Sequence, residues 1–474
     1  MKTSQLLTIL AFLLAATFTH AQTIVPPGAV EGRWTIDKSP YTIDGAIYVR
    51  PGSTLFIEPG VEVIFKTRDR MHIYGCFKAR GTEKQPIHFT AADKITGWGG
   101  IWFTQTSPRT DTSKLVYCHF EYGNAKGDSP YNSGGAIGVR ELDKLLIRHC
   151  TFEYNKALHY STLSPTGGAI ALWKSNIRIS HCIFRYNIAD FGGAISINDC
   201  SKPIIDNCLF YSNNVSSYGG AIEVYDHSNP SFVSCTFADN RTVYSGGAFD
   251  ICLSSSAYLL NCILWYNMAG MSGNQVNIRS GESYVKMFYC NLEGGMEGIS
   301  GFPFIATFKE MLNAYPIFQF TKDGPYCLSP YSPCVETGSI DCKYFPEGWC
   351  CPCNDLANTN RIWQQQIDMG CFEYHSASPP DEDENALPKL FNVVVFPSPV
   401  KNLATIKYEL NETKAVKLTV YDIQGKIVSS LPMEEKTAGV HQIIWNAQSL
   451  PNGIYIYKLR TGNEWSSGQL ILAK

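Results

Sequence analysis

The chain has 474 residues, with 39 Lys and Arg against 42 Asp and Glu and a net charge of −3. No basic stripe runs along it, which excludes nucleic acid as the expected partner. Seventeen cysteines are too many for an ordinary cytosolic repeat chain.

Residues 1–21 read as a signal peptide. Lys2 supplies the positive start, and Leu6 to Thr17 is an apolar run too short to span a bilayer. Thr19-His20-Ala21 is the cleavage site, leaving Gln22 first. No Cys follows that point, which argues against a lipoprotein anchor. No other apolar run reaches membrane length, so no transmembrane segment is expected.

From residue 22 the chain breaks into short alternating patches, TLFIEPGVEVIF, MHIYGCFKARGT, PIHFTA and WGGIWF, separated by Gly or Pro turns. A repeat then sets in. Gly-Gly-Ala followed by Ile or Phe starts at Gly134, Gly167, Gly192, Gly219 and Gly246. Cys-x-Phe or a close variant keeps step at Cys118, Cys150, Cys182, Cys208, Cys235, Cys262 and Cys290. Two unrelated phrases with one period signify stacked units. The unit GGAISINDCSKPIIDNCLFYSN holds three patches with period two, at Ile195 and Ile197, at Ile205, and at Cys208 and Phe210. None has helical spacing. Three strands per coil, about 4.8 Å from coil to coil, make a parallel β-helix.

The corner residues fit. Each Gly pair supplies positive φ or close backbone approach. The residue before each ladder Cys (Tyr117, His149, His181, Asn207, Ser234, Asn261, Tyr289) sits at a left-handed corner, which Asn favours. Asn155, Asn187, Asn213, Asn240 and Asn267 form a column able to hydrogen-bond along the axis. The ladder cysteines point inward as small apolar residues, and their parallel Cβ vectors suit disulfides poorly.

After Cys290 the phrase decays. Cys327, Cys334, Cys342, Cys350, Cys351, Cys353 and Cys371 cluster in a loop-rich stretch, residues 327–375, expected to cap the helix and to be tied by disulfides in an oxidising compartment. Their spacing is not that of a zinc site. Residues 376–389, Pro-rich and acidic, read as a linker. Residues 390–474 alternate as strands between Asp-Ile-Gln-Gly and Pro-Asn-Gly turns, a small all-β sandwich of immunoglobulin-like type.

The GGAI and Cys-x-Phe phrases, the opening SPYTIDGAIYV, and YCLSPYSPCVETG with IDMGCFEY resemble right-handed parallel β-helix repeat proteins of the pectate-lyase-like superfamily, over roughly residues 30 to 375. That resemblance implies the fold for residues 22–326 and no particular activity. FPSP at Phe396 to Pro399, KLTVYDIQGKIV, AGVHQIIWNAQSLPNGIYIYKL and GQLILAK resemble the sorting domain of the type IX secretion system of Bacteroidota. This second resemblance implies handling by that machinery, export through the periplasm, and a secreted or outer-surface destination. FPSP stands where the family has Tyr-Pro-Asn-Pro.

Candidate sites lie on the outward positions of the strand after Gly-Gly. Gly138, Ala171, Ser196, Glu223 and Asp250 form one column, and Arg140, Trp173, Asn198, Tyr225 and Cys252 the next. Trp173, Asn198 and Tyr225 are expected to contact a linear glycan, and Glu223 and Asp250 to stand one coil apart. As ligands, those two acids with Asp226 suit calcium. As a pair they suit a retaining glycosidase. As surface residues they are simply solvated. No catalytic residue and no resident cofactor or metal is assigned. The Asp-Asp and His-Gly steps of polygalacturonase-like helices and the RxPxxR of pectate lyases are absent. Lys174, Arg178 and Arg185 are the cations a lyase would need on neighbouring turns. The expected role is non-catalytic binding of a polysaccharide, matrix or host surface. The alternative is a polysaccharide lyase or glycoside hydrolase acting on an acidic polysaccharide.

Overall fold

Short alternating strands between tight turns cannot bury themselves, so each pairs with its equivalent one coil away. The computed structural model describes residues 22–374 and 393–474, apart from 105–110, 159–164, 302–304, 364, 397–399, 411, 423–426 and 462–463. It forms three parallel sheets of 11 strands each. The Gly-Gly sheet collects the strands after the glycine corners, such as Ile170–Trp173, Ile195–Asn198 and Ile222–Val224. The middle sheet collects Arg178–Ser180, Ile204–Asp206 and their equivalents. The Cys sheet collects the strands beside the ladder cysteines, such as Ile183–Arg185 and Leu209–Tyr211. A fourth ladder of six short strands, Asn124–Ala125 to Met268–Ala269, lies between each Cys strand and the next glycine corner. The three-patch reading of the sequence lacks it.

Register is as the phrases imply. Ile195, Ile222 and Phe249 are ladder neighbours and fully buried. The first glycine of each pair has positive φ, 67° at Gly167 and 59° at Gly192. The second is packed against backbone: a Cβ on Gly193 would lie 2.3 Å from the Gly220 carbonyl oxygen. The residues before the ladder cysteines all have φ between 48° (Asn207) and 53° (His181, Asn261). Nδ2 of Asn187 donates to Oδ1 of Asn213, and Nδ2 of Asn213 to Oδ1 of Asn240, each at 2.9 Å. The ladder cysteines are buried thiols within the core. Burial pushes the Cys150, Cys182 and Cys208 thiols well up, which keeps them protonated.

Two boundaries differ from expectation. The last solenoid strand is Ile305–Lys309, not a segment near residue 326. The cysteine-rich stretch does not cap the end. With the hairpin Phe318–Thr321 and Gly324–Leu328 it forms a strap that folds back along the flank. Gly370 N donates to Asn261 O, Cys371 N to Thr236 Oγ1, and His181 Nε2 to Asn354 O. The reason lies in the Cys sheet, whose outward positions Leu209 and Ile263 are apolar and need cover. Tyr326, Cys327, Cys371 and Phe372 close over Leu209, and Leu328, Cys334 and Met369 over Ile263.

Residues beyond His375 form a separate unit. Val393–Phe396, Leu403–Leu410 and Gly439–Asn446 make one antiparallel sheet. Lys414–Asp422, Ile427–Ser430, Glu434–Lys436, Gly453–Thr461 and Glu464–Leu472 make the other. A single core containing Ile406, Leu418, Trp445 and Leu459 joins them as a small sandwich. The expected signal peptide (1–21), the expected linker (376–389) and Ser398 with its flanking prolines lie outside the described residues.

Candidate ligand-binding face

The outward columns of the Gly-Gly sheet are in register as the phrases require. Gly138 pairs with Ala171, Ser196 with Glu223, and Glu223 with Asp250; Arg140 pairs with Trp173, and Trp173 with Asn198. Tyr225 follows one coil on, its N–H reaching the Ile197 carbonyl. Trp173 and Tyr225 are half-buried. The columns continue both ways, to Trp102 beside Gly138 and to Asn277 beside Asp250.

The acids are not solvated. Glu223 is 3% exposed and Asp250 0%. The glycine corners crowd this column: a Cβ on Gly192 would meet Glu223 Cβ at 3.1 Å, and one on Gly219 would meet Asp250 Cβ at 3.2 Å. Arg279 closes it from the other side. Its Nε and Nη2 lie 2.8 and 2.7 Å from Asp250 Oδ2, while Nη2 is 3.9 Å from Glu223 Oε1. Its guanidinium stands 4.5 Å from the Tyr218 ring and 5.6 Å from the Phe191 ring. Asn277 donates to Asp250, Ser196 donates to Glu223, and Asn198 donates to Ser196. Burial, opposed by Ser196, pushes the Glu223 carboxyl up to about 7. Beside this network lies a shallow cavity of about 520 Å³ lined by Tyr218, Ser245, Ser272, Asn277 and Arg279.

This arrangement also removes calcium from the pair. The Arg279 guanidinium already occupies Asp250, and Asp226 is engaged by His227 Nδ1 at 2.8 Å. Among the described residues no three His, Cys, Asp or Glu side chains converge as a metal site.

An aromatic group that the sequence reading did not assemble sits at the other end of the face. Trp102 lies over Gly138, where a Cβ would be 2.1 Å from the indole. Tyr131 is 4.8 Å from Trp102, and Trp173 5.6 Å. The signal was present in WGGIWF, where Ile101 has the phase of Ile137 and places Trp102 above Gly138. Arg279 was missed because the corner of its own coil reads Gly-Asn-Gln, at Gly273 to Gln275, in place of Gly-Gly-Ala.

Lys174, Arg178 and Arg185 do not form one site. Lys174 stands at the corner after the Gly-Gly strand, Arg178 and Arg185 lie in the middle and Cys strands of the same coil, and each is engaged separately. Lys174 is 3.6 Å from Asp199, Arg178 lies 4.3 Å from the Trp349 ring, and Arg185 lies 2.6 Å from Glu153. The seven strap cysteines are thiols in this structure, so the expected cross-links are not formed in it. Cys327, Cys334 and Cys371 are buried, Cys351 is half-buried, and Cys342, Cys350 and Cys353 are exposed. Burial pushes Cys351 up to about 12.

Residues 99–287 match the family described as the right-handed beta helix region, and residues 394–473 the secretion system C-terminal sorting domain. No curated protein matches the chain. Among solved structures it is similar to the crystal structure of bacteriophage CBA120 tailspike protein 4, enzymatically active domain. That likeness has 13% identity and a TM-score of 0.27, and covers 89% of this chain but only 59% of the other. At that score it says nothing of function. No helix among the described residues is long and apolar enough to cross a membrane.

Proposed function

Because the chain is a right-handed parallel β-helix protein carrying a C-terminal secretion sorting domain, we propose that it is a surface-displayed or released protein that binds a linear glycan across successive coils of the Gly-Gly face. Its export runs through the periplasm, and its tail is read by the type IX machinery. The observation that carries the binding role is Trp173, half-buried at the edge of the Trp102 group and in register with Arg140 and Asn198. Sugar rings stack their C–H faces on such aromatics and take hydrogen bonds from neighbouring amides and guanidinium groups.

Hydrolysis of the glycan has one feature in its favour. Glu223, held near 7 beside Asp250, has the proton affinity of a general acid. Against it stands burial, since neither carboxyl reaches a glycosidic oxygen from beneath Arg279.

Trp173→Ala and Tyr225→Ala test the binding role. Each is expected to weaken binding of a recognised glycan by about 1–3 kcal/mol, with little change in melting temperature. Unchanged affinity with lost stability would make these rings packing residues and remove the role assigned to them.

A further inference from the structure

Among the arginines of the Gly-Gly face, Arg279 and Arg70 are both half-buried, and they differ in what faces them. Arg279 is held by Asp250, with Glu223 nearby. Arg70, at the aromatic end, is half-buried and has no carboxylate partner among the described residues. Its Nη2 donates to the carbonyl oxygens of Lys126 and Tyr131, and its guanidinium lies 5.3 Å from the Tyr131 ring. Burial without a counter-ion pulls the Arg70 pKa down to about 10. His72, the ladder neighbour of Trp102, is held below its usual pKa first by burial and then by Arg70. The local potential is therefore positive and uncompensated.

A second, independent feature points to a ligand. Trp102 is 1% exposed, and its Nε1–H has no hydrogen-bond partner among the described residues. Buried donors are nearly always satisfied, and leaving one unmade is costly. Trp173 flanks this indole, and Arg140, half-exposed and only loosely paired with Glu141 at 3.9 Å, stands in register with Trp173.

We propose that Trp102, Tyr131, Trp173, Arg70 and Arg140 form a subsite for an acidic sugar residue. The sugar ring lies against the aromatic group, its anionic group supplies the counter-charge that Arg70 lacks, and a ligand oxygen accepts from Trp102 Nε1. The anion is a carboxylate or a sulfate ester, which present the same charge to the guanidinium groups. This inference rests on the glycan-binding reading and adds the charge of the ligand to it.

The experiment uses the full secreted chain and three immobilised polymers: a polyuronate, the same polymer with its carboxyls reduced to alcohols, and a sulfated neutral glycan. At least one charged polymer should bind about tenfold or more tighter than the reduced one, the scale of a charge-assisted hydrogen bond. Whichever charged polymer shows that preference identifies the anion. Arg70→Gln and Arg140→Gln should each shrink the preference, and Trp102→Phe should weaken binding while keeping the ring. Lys322→Gln, an exposed cation on the strap, should change nothing. Equal binding of charged and reduced polymers would overturn the acidic subsite and leave glycan binding standing. An effect of Lys322→Gln as large as that of Arg70→Gln would overturn it as mere charge attraction. Binding of no polymer would sink both readings.

Discussion

Glu223 shows how a single guanidinium divides two acids. Arg279 sits on Asp250 at 2.7 Å and reaches Glu223 only at 3.9 Å, so Glu223 bears the cost of burial with Ser196 as its main support. Its carboxyl is raised from 4.5 to about 7. A raised carboxyl binds its proton more tightly in the folded state than in the unfolded chain. Stability is therefore complete below about pH 4.5, falls as pH rises through about 7, and is flat above that. The loss amounts to about 3 kcal/mol at most. Glu223→Gln keeps an acceptor for Ser196 and removes the titration. We expect it to match the natural chain at pH 4 and to exceed it at pH 8 by about 1–3 kcal/mol in denaturant unfolding. A variant no more stable than the natural chain at pH 8 would show that Glu223 is not the group held near 7. Glu373 in the strap, pushed up to about 8 by burial against the opposing pull of Arg361, titrates in both proteins and cancels from the comparison.

At the scale of elements, the asparagine column is a polar spine inside the coil. Asn213 accepts from the Asn187 N–H, and its Nδ2 donates to Phe184 O and Asn240 Oδ1. Asn213→Ala leaves the buried Asn187 N–H and the Phe184 carbonyl without these partners. It should cost about 2–4 kcal/mol and speed amide exchange at Asn187. A melting curve like that of the natural chain, with unchanged exchange, would show that water replaces the side chain at no cost. The spine, the glycine corners and the thiol ladder were legible in the sequence because each residue type answers a local backbone demand that recurs every coil. What the sequence hid depends on chain that returns from far away. Leu209 and Ile263 face outward next to inward Phe210 and Leu264, an apolar pair of faces that signals cover but not its source. The cover is Tyr326, Phe372 and Met369, which belong to no repeat. The burial of Glu223 and Asp250 was hidden differently, by neighbouring coils of the repeat itself. Their alternation marks them as outward, and only the glycine corners and Arg279, a coil or more away, make outward mean buried.

The whole molecule is two units with separate cores. The solenoid core runs from Val25 to Ile299 and the fully buried strap residues end at Phe372, while the C-terminal core is built from Val400 to Leu472 with Val395 packed against it. Each core is closed by its own strands, so neither unit needs the other to bury its apolar residues. The strap, in contrast, must stay with the solenoid, because Leu209, Val233 and Ile263 would be uncovered without it. A chain ended at Ser376 therefore keeps every element of the solenoid and its cover and loses only the sorting unit. We expect it to melt within a few degrees of the solenoid transition of the full chain. We expect it to accumulate inside the cell envelope of its own host, while the full chain reaches the surface or the medium. Surface labelling and fractionation distinguish the two. If the shortened chain reached the outside as well as the full one, residues 390–474 would not direct export. If it failed to fold, the two cores would depend on each other in a way their separate composition does not explain.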